Sequence, residues 1–357
     1  MLKGNKGDWS EVYSFLRLLV DGTIDSANED LTPIEGQSYR VLEIFREGIR
    51  FVRQDEFVEL YRNSVQIGTC GYELLREKLS FFWAELVDGV GKSFECPTGE
   101  MLLAYLSQKN LKAANDSKAD LIVKLVDRRT YALPSLGFSI KSYVGNASTL
   151  FNGSHATKFI YEINGLNDSE LPNLLEIANQ PEQVKEFLVS NSDRIELTFS
   201  DMMDDCCKKN FNLVDTFFPF IFADAIKLHY YGKANKLSAI CAALAEADPL
   251  HLDCAHFYEK KFKDFLVAVA LGMEPKTIWD GEEQANGGYI VVKRDGSIVC
   301  YHIYDRKSFR DYLFMHTKID TVSGAKFLNA GETDIDGVIY EKDGRYLINL
   351  NRQIRFC

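Results

Sequence analysis

The chain has no Cys-x-x-Cys pair and no His-Glu-x-x-His run. Its eight cysteines are scattered along the sequence, and its six histidines offer only His251 and His256 as near neighbours, five positions apart and off a common helix face. This pattern reads as reduced thiols packed as small hydrophobes, and it excludes a disulfide frame or a zinc site. Nor does any apolar run approach the roughly 20 residues of a membrane helix. The opening MLKGNKGDW lacks the apolar stretch of a signal peptide. A cytoplasmic protein without membrane contact is therefore expected. Internal repeats and low-complexity tracts are absent as well. A positive charge excess is also missing, since the net charge is -11, so a polyanionic partner would have to find a local basic surface.

What is present is enough for a sizeable core: 357 residues, 46% of them hydrophobic. Charge is unevenly spread. From Lys118 to Lys158 there are six basic residues (Lys118, Lys124, Arg128, Arg129, Lys141, Lys158) against two acids, Asp120 and Asp127. Residues 276–357 hold 12 basic and 12 acidic side chains and are neutral. These are the two regions able to face nucleic acid.

The hydrophobic patterning predicts a mixed α/β chain. WSEVYSFLRLLV (9–20) carries apolar residues at helical spacing, with Asp8 as the predicted N-cap and Glu11 in the first turn. Short strand-like segments follow over 22–68, then helices over 72–86 and after Thr98, read as a cap. Residues 181–192 and 200–272 are mostly helical in pattern. From Gly287 the texture turns to strands punctuated by Asp295-Gly296 and Asp343-Gly344 turns, which sets an expected boundary near Pro275 between parts 1–275 and 276–357.

Residues 118–141, KADLIVKLVDRRTYALPSLGFSIK, form the most informative stretch. Two β-branched runs flank a turn-like VDRRTYALPSL, so a hairpin would return Lys141 to the neighbourhood of Asp120. A metal-dependent nuclease needs such a pair. Carboxylates and backbone carbonyls hold a hard cation beside the scissile phosphate, and a lysine positions or deprotonates the attacking water. The usual pattern is Asp, a hairpin, then acid-x-Lys. Here the acid's place is Ser139, in Ser139-Ile140-Lys141. On these residues alone the pattern is a weak signal, and the structural reading leads: Asp120 as a turn cap and Lys141 as a strand-end lysine.

The wider context separates the two readings. KGNKGDWSEVYSFLRLL at the start, SKADLIVKLVDRR and LGFSIKSYVGNASTLFNGSHATKFIYEI in the middle, and TKIDTVSGAK with GVIYEKDGRYLINLNRQIRF at the end together resemble the HpaII family of type II restriction endonucleases, in order and over nearly the whole chain. The resemblance implies a restriction-endonuclease-like mixed sheet flanked by helices, of the PD-(D/E)xK kind, with a helical region and a β-rich C-terminal part that recognises DNA. It also implies a Mg²⁺ requirement, double-stranded DNA as substrate, a short palindromic target (CCGG in the family's namesake), a methyltransferase protecting that target, and a homodimer or a sequentially nicking monomer. Asp120 matches the family's metal-binding acid and Lys141 its catalytic lysine. Ala119 stands where the superfamily pattern has proline, and Ser139 where it has an acid. Glu11 and Glu162 are the acids that can replace the missing carboxylate, so Asp120, Ile140, Glu11 and Glu162 are the candidate metal ligands. Ser139 is a further candidate at the catalytic position. Asn146, Ser148, Thr149 and Asn152 are candidates for base or phosphate contacts. Among the tail cations Lys318, Lys326, Arg345 and Arg352, Lys318 and Arg352 lie in the segments most like the family. The alternative is a catalytically decayed DNA-binding protein on the same fold, which Ser139 would permit.

Overall fold

The computed structural model describes the chain apart from residues 113–118, 128–130, 146 and 323–335. Arg128, Arg129, Asn146 and Lys326 thus lie outside the described residues. In chain order the elements are α1 (Lys6–Asp21), β1 (Thr23–Ala27), β2 (Pro33–Arg46), β3 (Ile49–Arg53), β4 (Phe57–Arg62), β5 (Val65–Gly71), α2 (Tyr72–Asp88), α3 (Pro97–Tyr105), β6 (Leu121–Val126) and β7 (Ser135–Ser142). There follow β8 (Thr149–Phe151), β9 (Lys158–Asn164), α4 (Leu171–Glu176), α5 (Pro181–Ser190), β10 (Glu196–Met202), α6 (Asp205–Val214), α7 (Phe218–Tyr230), α8 (Leu237–Ala247) and α9 (His256–Leu271). The chain closes with β11 (Gly288–Val292), β12 (Ile298–His302), α10 (Arg306–Met315), β13 (Thr317–Thr321), β14 (Ile339–Lys342) and β15 (Arg345–Phe356). The expected mixed α/β class holds. No helix among the described residues is long and apolar enough to cross a membrane.

Two units share the chain. One comprises Met1–Ser148, Ala270–Gly272 and Glu282–Tyr312; the other Thr149–Val269, Met273–Gly281 and Leu313–Cys357. The boundary expected near Pro275 is not where the chain's contacts divide, because β11 and β12 are strands of the first unit's sheet. A change of texture marks a change of element type. Which sheet a strand joins is set by distant pairing, here β11 with β7 in parallel.

The first unit's sheet runs β1-β12-β11-β7-β6-β2-β3-β4-β5, and β1 also pairs with β2. Six strands from β1 round to β2 therefore close on themselves, and β3 to β5 extend from β2. β7 lies inside this ring with a hydrogen-bonded neighbour on each side, antiparallel β6 and parallel β11.

Helix α1 packs into this unit's core because its apolar residues follow the helical period. Trp9, Val12, Phe15, Leu16 and Leu19 are all fully buried, with Phe51, Phe82, Val123 and Ile290 in the same core; full burial of each such side chain contributes roughly 1.5–3 kcal/mol. Its start differs from the expectation. Asn5, not Asp8, is the N-cap: Asn5 Oδ1 accepts from the Asp8 amide at 3.0 Å, and Asp8 Oδ2 accepts from the Asn5 amide at 2.9 Å. The two form a capping box, so Glu11 lies in the second turn. The helix stops at Gly22, whose φ of 67° suits glycine. Thr98 is likewise not a cap; it lies inside α3, and its hydroxyl donates to Glu85 Oε1 at 2.6 Å.

The segment after α3 is tied down by Arg46, which is 4% exposed. Its guanidinium donates to Gln108 Oε1 at 2.8 Å, to the Asn110 carbonyl at 3.0 Å and to the Leu111 carbonyl, and it pairs with Glu47 at 2.8 Å. Arg46→Met should cost about 3 kcal/mol in urea-induced unfolding, because it leaves buried acceptors without donors. A loss below about 1 kcal/mol would show that water replaces those donors.

The second unit builds a sheet β10-β9-β15-β13, with β8 and β14 also on β15. Its core is aromatic: Phe211, Phe218, Phe222 and Phe265 pack ring against ring, with centroids 4.7–5.9 Å apart.

Candidate active site

The hairpin that the sequence predicts is β6 and β7, antiparallel, with Leu121 opposite Phe138. That register sets Asp120, just ahead of β6, level with Ser139, and side chains facing each other across a ladder lie on one face. The hydrogen bonds agree. Ser139 Oγ donates to Asp120 Oδ2 at 3.1 Å, the Ile140 amide donates to the same oxygen at 2.7 Å, and the Asp120 amide donates to the Phe138 carbonyl at 2.8 Å. Both side-chain bonds fall on Oδ2, so Oδ1 is the oxygen they leave for a ligand.

Lys141 follows two residues after Ser139 on the same face. Burial pulls its ammonium below the ordinary lysine range, and the negative charges of Asp120 and Glu11 oppose that pull. Its Nζ lies over the ring of Tyr289, 5.2 Å from the centroid. Tyr289 sits on β11 in register with Ser139, and burial followed by the charge of Asp120 raises its phenol.

Glu11 approaches from α1. The helix is fixed to β7 by a hydrogen bond from Ser10 Oγ to Ser142 Oγ at 2.8 Å, one residue before Glu11 and one after Lys141. Burial raises the Glu11 carboxyl to about 8, with Asp120 and then Asp8 adding to the rise, while Lys112 and Arg46 lower it. Asp8 itself pairs with Lys112 at 3.2 Å. The structure thus brings Glu11, Asp120, Ser139, Ile140 and Lys141 together, with Asp8, Lys112 and Tyr289 beside them.

Of these last three the sequence marks only Asp8, and as a cap; Lys112 and Tyr289 lie in no recognisable pattern. Only the register of β7 on β11 reveals Tyr289.

Glu162 falls in the second unit. It lies on β9 and pairs with Arg345 at 3.7 Å. Of the expected DNA contacts, Asn152 is exposed, Ser148 and Thr149 are partly buried, and Lys318 on β13 is 3.9 Å from Asp320. Arg352 is placed differently from the expectation. It is 3% exposed, and its guanidinium is committed to His229 Nδ1 at 3.1 Å, to Asp336 at 3.1 Å and to the Asn351 carbonyl at 2.5 Å, so it has no fork left for a guanine edge.

The donor set suits a hard cation. Two carboxylates share a partly desolvated place and raise the cost of each other's charge, a conflict that an oxygen-loving divalent ion relieves. Among the described residues no group of three or more His, Cys, Asp or Glu side chains is arranged to hold a metal ion, so the protein would supply the cation with two carboxylates and leave its other positions to water and substrate. Soft-metal chemistry is not what this set favours.

Comparison with known proteins shows the family. The model of the HpaII restriction endonuclease family matches residues 5–356. The type II restriction enzyme HpaII of Haemophilus parainfluenzae is 35% identical to the chain over 367 aligned positions, covering 99% of this chain and 98% of that enzyme. No solved structure matches. The chain belongs to the HpaII restriction endonuclease family, and its activity is that of a type II site-specific deoxyribonuclease.

Proposed function

We propose that this enzyme hydrolyses one phosphodiester bond in each strand of a short palindromic site, CCGG, in a Mg²⁺-dependent reaction on a restriction-endonuclease-like core. The observation that carries this reading is the meeting of Asp120, Glu11 and Lys141 on one hairpin and its neighbouring helix. Asp120 and Glu11 are the residues that would hold the cation. When bound, Mg²⁺ supplies Lewis-acid polarisation of the phosphate and lowers the pKa of water. The chain's own residues do the rest. Ser139 and the Ile140 amide hold the Asp120 carboxylate in one orientation. The Lys141 ammonium stabilises the charge that builds on the phosphate and moves a proton at Nζ. In the balance of the reaction, water oxygen bonds to phosphorus, one ester P–O bond breaks, and the leaving oxygen takes a proton.

Lys318, Ser148, Thr149 and Asn152 are the described candidates for DNA contacts. A methyltransferase that modifies the same site is the functional partner such an enzyme requires. A homodimer, or one subunit acting twice, cuts both strands. Plasmid DNA incubated with the protein and Mg²⁺ should give discrete fragments whose ends read CCGG, and EDTA should abolish them. Fragments ending at another sequence would overturn the assigned target. Retarded but uncut DNA would establish instead the decayed binding protein that Ser139 permits.

A further inference from the structure

We propose that Tyr289 is a positioning residue for Lys141, its ring face holding the ammonium beside Asp120. The inference rests on the reading of Lys141 as the catalytic lysine and deepens it. A lysine side chain has four rotatable bonds and about 2 kcal/mol of rotamer entropy to lose. Something must hold Nζ where the reaction needs it. The strand register provides the device. Tyr289 pairs in parallel with Ser139 and Val291 with Lys141, so the tyrosine and the lysine project from the same face of adjacent strands, offset by one pleat. That offset carries Nζ over the ring, at 5.2 Å, within the range where the negative face of an aromatic ring attracts a cation.

The ring is itself immobile. Tyr289 is 1% exposed. Phe309 of α10 meets it edge-on at 5.1 Å, and its partner across the ladder, Tyr301, is stacked on Tyr312 at 4.1 Å with planes 15° apart. Tyr312 in turn shares a hydrogen bond with Tyr143 at 3.3 Å, on the strand extension just past Lys141. An aromatic slab thus backs the lysine from β11, β12 and α10. Burial weakens an ammonium by removing water, and a ring face replaces part of that lost solvation without supplying a carboxylate to neutralise it. A salt bridge would hold Lys141 equally well but would lower its pull on a phosphate.

The test compares Tyr289→Phe, Tyr289→Leu and trifluorophenylalanine introduced at position 289, each in single-turnover cleavage at saturating DNA, with DNA affinity measured in Ca²⁺. Tyr289→Phe keeps the ring and should cut within about twofold of the natural enzyme. The fluorinated ring keeps the shape but removes the negative face, and its rate should fall about tenfold below Tyr289→Phe, with DNA affinity unchanged. Tyr289→Leu should fall at least as far. A merely structural ring would leave the fluorinated variant as fast as Tyr289→Phe. A fluorinated enzyme as fast as Tyr289→Phe overturns the proposal, and so does a Tyr289→Phe enzyme as slow as Tyr289→Leu. Lys141→Ala in the same assay separates the two levels. If it is inactive while the fluorinated enzyme is fast, Tyr289 alone is misassigned; if it still cuts, the lysine reading and the Tyr289 proposal fall together.

Discussion

Lys141→Ala and Asp120→Asn should each lower the single-turnover cleavage rate about a thousandfold or more, with specific DNA binding in Ca²⁺ largely retained for the lysine variant. The two losses have different causes. Removing Nζ takes away the cation that offsets the growing charge on the phosphate and handles a proton. Replacing the Asp120 carboxylate by an amide removes a full negative charge from the place where a dication must sit, yet leaves an oxygen to accept from the Ile140 amide, now at 2.7 Å. The hairpin should therefore stay folded in Asp120→Asn, and its melting temperature should change little. Cleavage by either variant at near the natural rate would place the reaction elsewhere. Collapse of the fold in both would leave the pair with a structural role only.

The second large effect should separate Glu11 from Glu162. In a Mg²⁺ titration of cleavage, Glu11→Gln should raise the metal concentration needed for half-maximal rate by about tenfold or abolish cutting, since it removes one of two negative charges that favour a hard cation. Glu162→Gln should cut at the natural rate and metal requirement, because Glu162 on β9 is already matched with Arg345. The reverse outcome would make Glu162 the second carboxylate. If neither changes, Ser139 would have to serve as a ligand through its hydroxyl, which now donates to Asp120.

The hairpin was legible because two local signals agree: β-branched runs on either side and a turn-forming, proline-containing stretch between them. Local signals also misled where two residues share one role. At the start of α1 both Asn5 and Asp8 are capping residues, and the capping box uses both, so a reader who picks the acid shifts the helix by three positions and puts Glu11 in the wrong turn. Arg352 shows a different limit. Its partners His229 and Asp336 are distant in sequence or drawn from another strand's approach, and nothing in NLNRQIRF distinguishes a buried arginine from one facing DNA. Pairing of β7 with β11 was invisible for the same reason: parallel neighbours need a long connection, and no local pattern reports where it returns.

That long connection has a consequence for how the enzyme comes into being. β7 ends at Ser142 and its parallel neighbour β11 begins at Gly288, so residues 143–287 must be synthesised before the strand bearing Lys141 gains its second partner. At roughly 5–20 residues per second that delay lasts on the order of ten seconds. During it β7 is an open sheet edge, and a chain released early carries Asp120 and Lys141 but neither Tyr289 nor the strand that supports it. The waiting edge exposes such chains to aggregation and degradation. On the proposed reading of the site, the hairpin alone is therefore an incomplete centre until the chain is finished.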